Sequence, residues 1–199
     1  MKQLYRAEMP QDKTIFEIRE IDTTDDLDRI WKWWNAPHVT GRWSFDVRLG
    51  PIAGERRPYT IEDLGAYLKK MLHEGHLLPA ILRLNAVDIG YTEGYEIGSS
   101  PLANHPMLEP NDRGFHLLIG SPEFVGRGVG TFIMEHIIKW QFTAHPKAKR
   151  VGGEPKFDNI GAIKSLLKLP GSRREEDMQL PHKKAAVVII ERDGFFAKA

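Results

Sequence analysis

The stretch Val125-Gly126-Arg127-Gly128-Val129-Gly130-Thr131 constrains this chain more than any other, because three glycines alternate with larger residues directly ahead of a long amphipathic run. Val129, Phe132, Ile133, Ile137 and Trp140 fall at helical spacing, and the preceding Gly114-Phe115-His116-Leu117-Leu118-Ile119-Gly120 is mostly apolar and strand-like. A glycine-rich turn that opens a helix after a strand leaves backbone N–H groups without intrahelical partners, in the positive end of the helix dipole. Such a turn suits a pyrophosphate. A turn that only caps the helix, with no ligand, is the plainer reading of the same residues.

Spacing separates the possible uses. A Walker-type loop needs a lysine after its final glycine, and none stands there. A dinucleotide fingerprint needs a third glycine after two intervening residues, where this chain has Thr131. Both are disfavoured.

The 199 residues carry 28 basic and 27 acidic side chains, a net charge of +1, so the chain lacks the footprint that nucleic acid or an anionic membrane selects. Lys147, Lys149 and Arg150 read as a solvated approach to a strand. Without cysteine there is no disulfide, thiolate metal site or cysteine nucleophile, and the eight histidines show no His-Glu-x-x-His spacing, so no metal is expected. Residues 1–12 read as a polar tail and 13–199 as a single domain. The absence of an apolar leader or long apolar window leads to the expectation of a cytoplasmic protein.

Ile15 to Ile21 reads as a strand, and Thr23-Thr24-Asp25-Asp26 offers caps for a helix with Leu27, Ile30, Trp31 and Trp34 on one stripe. Residues 36–58 read as a long loop. Thr60 and Asp63 predict a capping box for a helix to about Glu74, and Leu78 to Leu84 with Asp88 to Ile97 predict a hairpin. On its second strand Tyr91, Glu93 and Tyr95 share a face. After a polar loop to Asp112 come the strand at 114–120, the glycine turn and its helix, a short strand at 150–154, a helix from Asn159 ended by Pro170-Gly171, and a buried strand within 182–192. This order predicts an α/β fold of the α+β type, with one twisted, mostly antiparallel mixed sheet and helices on both faces.

His116 is a candidate general base, because imidazole accepts a proton near neutral pH and its strand leads into the glycine turn. A core histidine bonded to backbone is the alternative. Asp158 is open between catalysis and capping the helix that follows. Glu93 among tyrosines could meet a substrate ammonium, and Trp43 could line an acceptor pocket or belong to the core.

The strand–glycine turn–helix unit resembles motif A of the GNAT N-acyltransferases, with Val125 where that motif usually has Arg or Gln. Further blocks resemble the siderophore-biosynthetic subgroup that acylates hydroxylysine or hydroxylated diamines. They are Trp31-Lys32-Trp33-Trp34-Asn35-Ala36-Pro37-His38-Val39, Ile89-Gly90-Tyr91-Thr92-Glu93-Gly94-Tyr95, Asp112 to Gly120, Gly153-Glu154-Pro155-Lys156-Phe157-Asp158-Asn159 and Leu180-Pro181-His182-Lys183-Lys184-Ala185-Ala186.

The resemblance implies a GNAT fold and direct transfer of an acetyl or succinyl group from acyl-CoA to a hydroxylamine nitrogen. It implies a catalytic pair His116 and Asp158. Coenzyme A would be held by Leu118 and Ile119 along pantetheine, by Gly126, Arg127, Gly128, Val129, Gly130 and Thr131 at the pyrophosphate, and by Asn159. The acceptor would meet Trp43, Glu93 and Tyr95. The expected partner is a small N-hydroxylated amine, with no nucleic acid or membrane, for a monomer or homodimer. An aminoglycoside-type N-acetyltransferase and a non-catalytic acyl-CoA sensor are the competing readings.

Overall fold

The computed structural model describes residues 2–9, 12–40, 60–75 and 77–197. In chain order the strands and helices are β1 (Gln3–Glu8), β2 (Ile15–Glu20), α1 (Leu27–Trp34), α2 (Pro37–Thr40), α3 (Ile61–Glu74), β3 (Leu77–Leu84), β4 (Val87–Glu96), β5 (Arg113–Ile119), α4 (Val129–Ala144), β6 (Arg150–Gly153), α5 (Ile160–Leu167), β7 (Ser172–Arg174), β8 (Met178–Leu180), β9 (Lys183–Ala185), β10 (Val188–Glu191) and α6 (Arg192–Phe196). An eight-stranded mixed sheet has the order β1-β2-β3-β4-β5-β6-β10-β7, and β8 with β9 forms a two-stranded ladder. The chain divides into two compact units, Met1–Glu93 with Leu117–Val125, and Gly94–His116 with Gly126–Ala199.

In the first unit, β2 pairs antiparallel with β1 and with β3. The strand β1 lies within the expected polar tail: its side chains are exposed or half-buried, as an edge strand allows, and so carry no apolar signal. Asn85 and Ala86 both have positive φ and close the β3–β4 hairpin in two residues, the primed geometry that matches strand twist. The capping box on α3 forms as its sequence predicts, with Thr60 Oγ1 accepting from the Asp63 amide at 3.1 Å and Asp63 Oδ2 accepting from the Thr60 amide at 3.2 Å. The core gathers Ile30, Trp33 and Trp34 of α1, Leu64, Tyr67, Leu68 and Met71 of α3, and Ile81, Tyr91 and Leu118. Trp33 joins this core, and Trp31, with Leu27, packs against it partly buried. Gly120 is required there, since a Cβ would lie 2.1 Å from the Trp33 indole.

The expected cap of α1 is corrected. Asp26 occupies the N-cap position but makes no side-chain cap bond, because its carboxylate is engaged by the buried Arg19 guanidinium at 2.7 and 2.8 Å. Neutralising a buried cation outweighs a cap bond worth about 1 kcal/mol.

In the second unit, β6 runs parallel to β5 and antiparallel to β10, which pairs with β7. Residues Ala185 to Ile190 are all buried, as their unbroken apolar run predicts. Asp112, itself buried, accepts from the Lys149 and Arg150 amides at 3.0 and 2.9 Å and from the Glu109 amide at 2.8 Å. This fixes the start of β6 beside β5.

Candidate active site

Alternation along β5 puts Gly114 and His116 on one face. The parallel register sets Gly114 opposite Gly152, so two residues further along each chain His116 faces Glu154. His116 Nε2 lies 3.1 Å from Glu154 Oε1. Glu154 follows β6 directly and is only 4% exposed, whereas the His116 side chain keeps 22% of its surface.

Two further groups converge on this carboxylate. Lys183 Nζ stands 2.7 Å from Glu154 Oε2, and the Tyr95 hydroxyl donates to Oε1 at 3.1 Å. Lys183 opens β9, reached from β8 by the two-residue turn Pro181-His182. That segment is tied to the chain after Glu154: the Ala186 amide donates to the Pro155 carbonyl at 2.9 Å, and the Phe157 amide to the Lys184 carbonyl at 3.0 Å. The Tyr95 ring lies 4.9 Å from the His116 ring, tilted by 46°. Gly114 makes room for it, since a Cβ there would sit 2.2 Å from Tyr95 Cε2.

Burial pushes the Glu154 carboxyl toward higher pKa, but the Lys183 ammonium and the His116 imidazole outweigh it and hold the group well below the usual carboxylate range. An ionised Glu154 can only accept hydrogen bonds. His116 Nε2 therefore donates, and the neutral imidazole carries its lone pair on Nδ1.

The glycine turn has the geometry its sequence predicts. Gly126 and Gly128 take φ of +78° and +80°, and no atom lies within 4 Å of where a Cβ on either would stand. Gly128 is the N-cap of the 16-residue α4 and offers its first-turn amides no side-chain oxygen. Gly126, Arg127 and Gly128 are exposed, and Val129, Gly130 and Thr131 half-buried. An open, left-handed backbone at an uncapped helix N-terminus fits a pyrophosphate.

The remaining candidates are placed as follows. Asp158 is exposed, and the carboxylate brought to His116 is Glu154, four residues earlier. Asn159 is the cap of α5, its Oδ1 accepting from the Ala162 amide at 3.3 Å. The Leu118 side chain is buried, and the Ile119 carbonyl accepts from His38 Nε2 at 2.9 Å. Glu93 is fully buried, with Tyr67 and Tyr91 hydroxyls donating to its Oε1 at 2.9 and 2.8 Å. Trp43 lies outside the described residues. Sequence reading missed Glu154 and Lys183 as site residues. The signal for Glu154 is the strand pairing, which sets Gly152 against Gly114 and so carries position 154 to His116.

Comparison with known proteins identifies the family of the chain. The family model described as an acetyltransferase (GNAT) domain matches residues 22–180. The N(6)-hydroxylysine O-acetyltransferase of Escherichia coli is 24% identical over 98% of this chain, which spans 58% of that protein's length. The N-hydroxyputrescine acetyltransferase of Acinetobacter baumannii is 27% identical over 74% of the chain and 64% of its own length. The structure of AAC(6')-Ib with paromomycin and acetyl-CoA superposes with a TM-score of 0.74 at 25% identity, covering 90% of this chain and 95% of that one. With the family model covering most of its length, from just after β2 to the end of β8, this chain belongs to the GNAT acetyltransferase family.

Proposed function

We propose that this chain transfers an acyl group from coenzyme A to the nitrogen of an N-hydroxylated lysine or diamine, as in the assembly of hydroxamate siderophores. The observation that carries the reading is the pair of Glu154 with His116, which stands on the strand that precedes the glycine turn, and Lys183 on the far carboxylate oxygen. The names of the E. coli and A. baumannii relatives support the acceptor class.

Amides of the first turn of α4, from Gly128 to Gly130, with the backbone at Gly126, bind the pyrophosphate, while the Thr131 amide donates to the Gly128 carbonyl at 3.2 Å and Arg127 adds positive charge. A hydroxylamine nitrogen is less basic than an alkylamine and is neutral at pH 7. Its lone pair attacks the thioester carbonyl carbon, the N–C bond forms, and the C–S bond breaks as the thiolate leaves. His116 Nδ1 accepts the proton the nitrogen loses, and the imidazolium is stabilised by Glu154. That proton then returns to the departing sulfur.

The donor is acetyl-CoA or succinyl-CoA. Thiol release from each, with N6-hydroxylysine, N-hydroxyputrescine, lysine and paromomycin as acceptors, tests the proposal. The expected result is release with a hydroxylated acceptor exceeding that with lysine at least tenfold. Preferential release with paromomycin would support instead the aminoglycoside reading, which the likeness to AAC(6')-Ib favours. Acetyl-CoA binding without release to any amine would leave a sensor.

A further inference from the structure

Among the described residues, Glu154 has two cationic neighbours of different kinds. Lys183 Nζ, 2.7 Å from Oε2, is an ammonium, while His116 Nε2, 3.1 Å from Oε1, is a cation only when protonated. Tyr95 donates a hydrogen bond to Oε1 but brings no charge. A carboxylate buried this deeply is tolerated only if a positive charge compensates it.

Which neighbour supplies that charge decides what the imidazole can do. With the ammonium in place the carboxylate is balanced, and the imidazole can remain neutral, donate through Nε2 and keep a lone pair. Without it, the carboxylate draws a proton onto His116, and an imidazolium has no lone pair with which to act as a base. We propose that Lys183 is a positioning residue that keeps His116 an uncharged base by balancing Glu154 in its stead. This rests on the reading of His116 as the base.

The neighbouring Lys184 does not substitute for Lys183. Lys184 faces the other way, its Nζ 3.5 Å from Asp177 Oδ2 and 5.3 Å from the Phe157 ring centre. Lys156 stands on the segment bridged to Ala185, and His182 precedes Lys183 in the turn. On β4 the facing group is Tyr95, on the end of β6 it is Glu154, and on β9 it is Lys183. The same face of β5 carries Gly114 next to His116 and adds no charge.

The test is titration of the His116 imidazole by NMR in the full chain, its signal assigned by its loss in His116→Gln. The midpoint in Lys183→Met is expected at least one pH unit above that of the parent, with Lys183→Arg within a few tenths of it. Lys183→Gln, also uncharged, serves should the methionine variant not fold, and acetyl-CoA binding by calorimetry reports the fold. The acidic limb of kcat/KM for thiol release with N6-hydroxylysine is expected to move up with the midpoint, so that kcat/KM at pH 7 drops severalfold and recovers at higher pH. An unmoved midpoint in a folded, uncharged variant would overturn the proposal. Should His116→Gln turn over like the parent, the base assignment fails by itself, while the NMR midpoints still report on Lys183.

Discussion

Two buried charge clusters, one in each compact unit, answer the same electrostatic problem differently. In the first unit the Arg19 guanidinium binds both oxygens of Asp26 and reaches Asp88 Oδ2 at 2.8 Å. Arg29 bridges Asp26 and Asp88 at 2.7 and 2.6 Å, and Arg83 donates to Asp88 Oδ1 at 2.8 Å. Every charged member is a guanidinium or a carboxylate, so no proton moves near neutral pH. In the second unit Glu154 is shared among an ammonium, a phenol and an imidazole. Rigid forks with fixed charge suit a joint that must hold, and an imidazole suits a place where a proton must come and go.

The sharpest way to break this contrast is Arg19→Met. It leaves Asp26 buried without its main counter-ion, and removing one partner of such a pair costs about 3–5 kcal/mol. Urea denaturation is expected to show that loss, while the His116 titration in the folded fraction stays where it was. A loss under about 1 kcal/mol would mean that the cluster is no joint. Its pH dependence has a definite sign. For Asp26 and for Asp88, burial raises the pKa but guanidinium hydrogen bonds outweigh it and leave each carboxyl below its ordinary value. Their stabilisation is therefore complete above the unfolded carboxylate pKa of about 4 and fades as pH falls below it. Arg19→Met is expected to flatten that acid slope.

A smaller effect sharpens the other side of the comparison. In Gly114→Ala the new Cβ meets the Tyr95 ring, which must leave its place beside His116 and its bond to Glu154. A net hydrogen bond of about 1 kcal/mol plus displaced packing predicts a roughly tenfold fall in kcat, with KM for acetyl-CoA unchanged. Tyr95→Phe, which keeps the ring, is expected to lose about fivefold. Equal losses in both kcat and the affinity for acetyl-CoA would point to general disruption.

Much of the fold was legible because apolar periodicity and capping residues are local signals. The helices at α3 and α4, the β3–β4 hairpin and the buried run before Arg192 follow from residues within a few positions of one another. The edge strand β1 was not legible, since its polar residues differ from a tail only through pairing with β2. His116 stood out because its strand runs into the glycine turn, whose backbone conformation the glycines foretell. Glu154 did not, because it reaches His116 through strand pairing across tens of residues, and Lys183 did not, because it meets Glu154 only through the bridge between Ala185 and the chain after Glu154. Asp158 drew attention by its place in a matching block, and Asn159 by its suitability as a cap, which is the bond it makes.

The central claim is that an imidazole on β5 does the proton work for acyl transfer from coenzyme A. Its most direct test compares thiol release with N6-hydroxylysine, and acetyl-CoA affinity by calorimetry, between the parent chain and His116→Ala. A positioned base typically contributes 10²–10⁴-fold, so turnover is predicted to fall by about that factor with affinity for acetyl-CoA unchanged. Turnover within about twofold of the parent, or loss of acetyl-CoA binding in step with turnover, would contradict it.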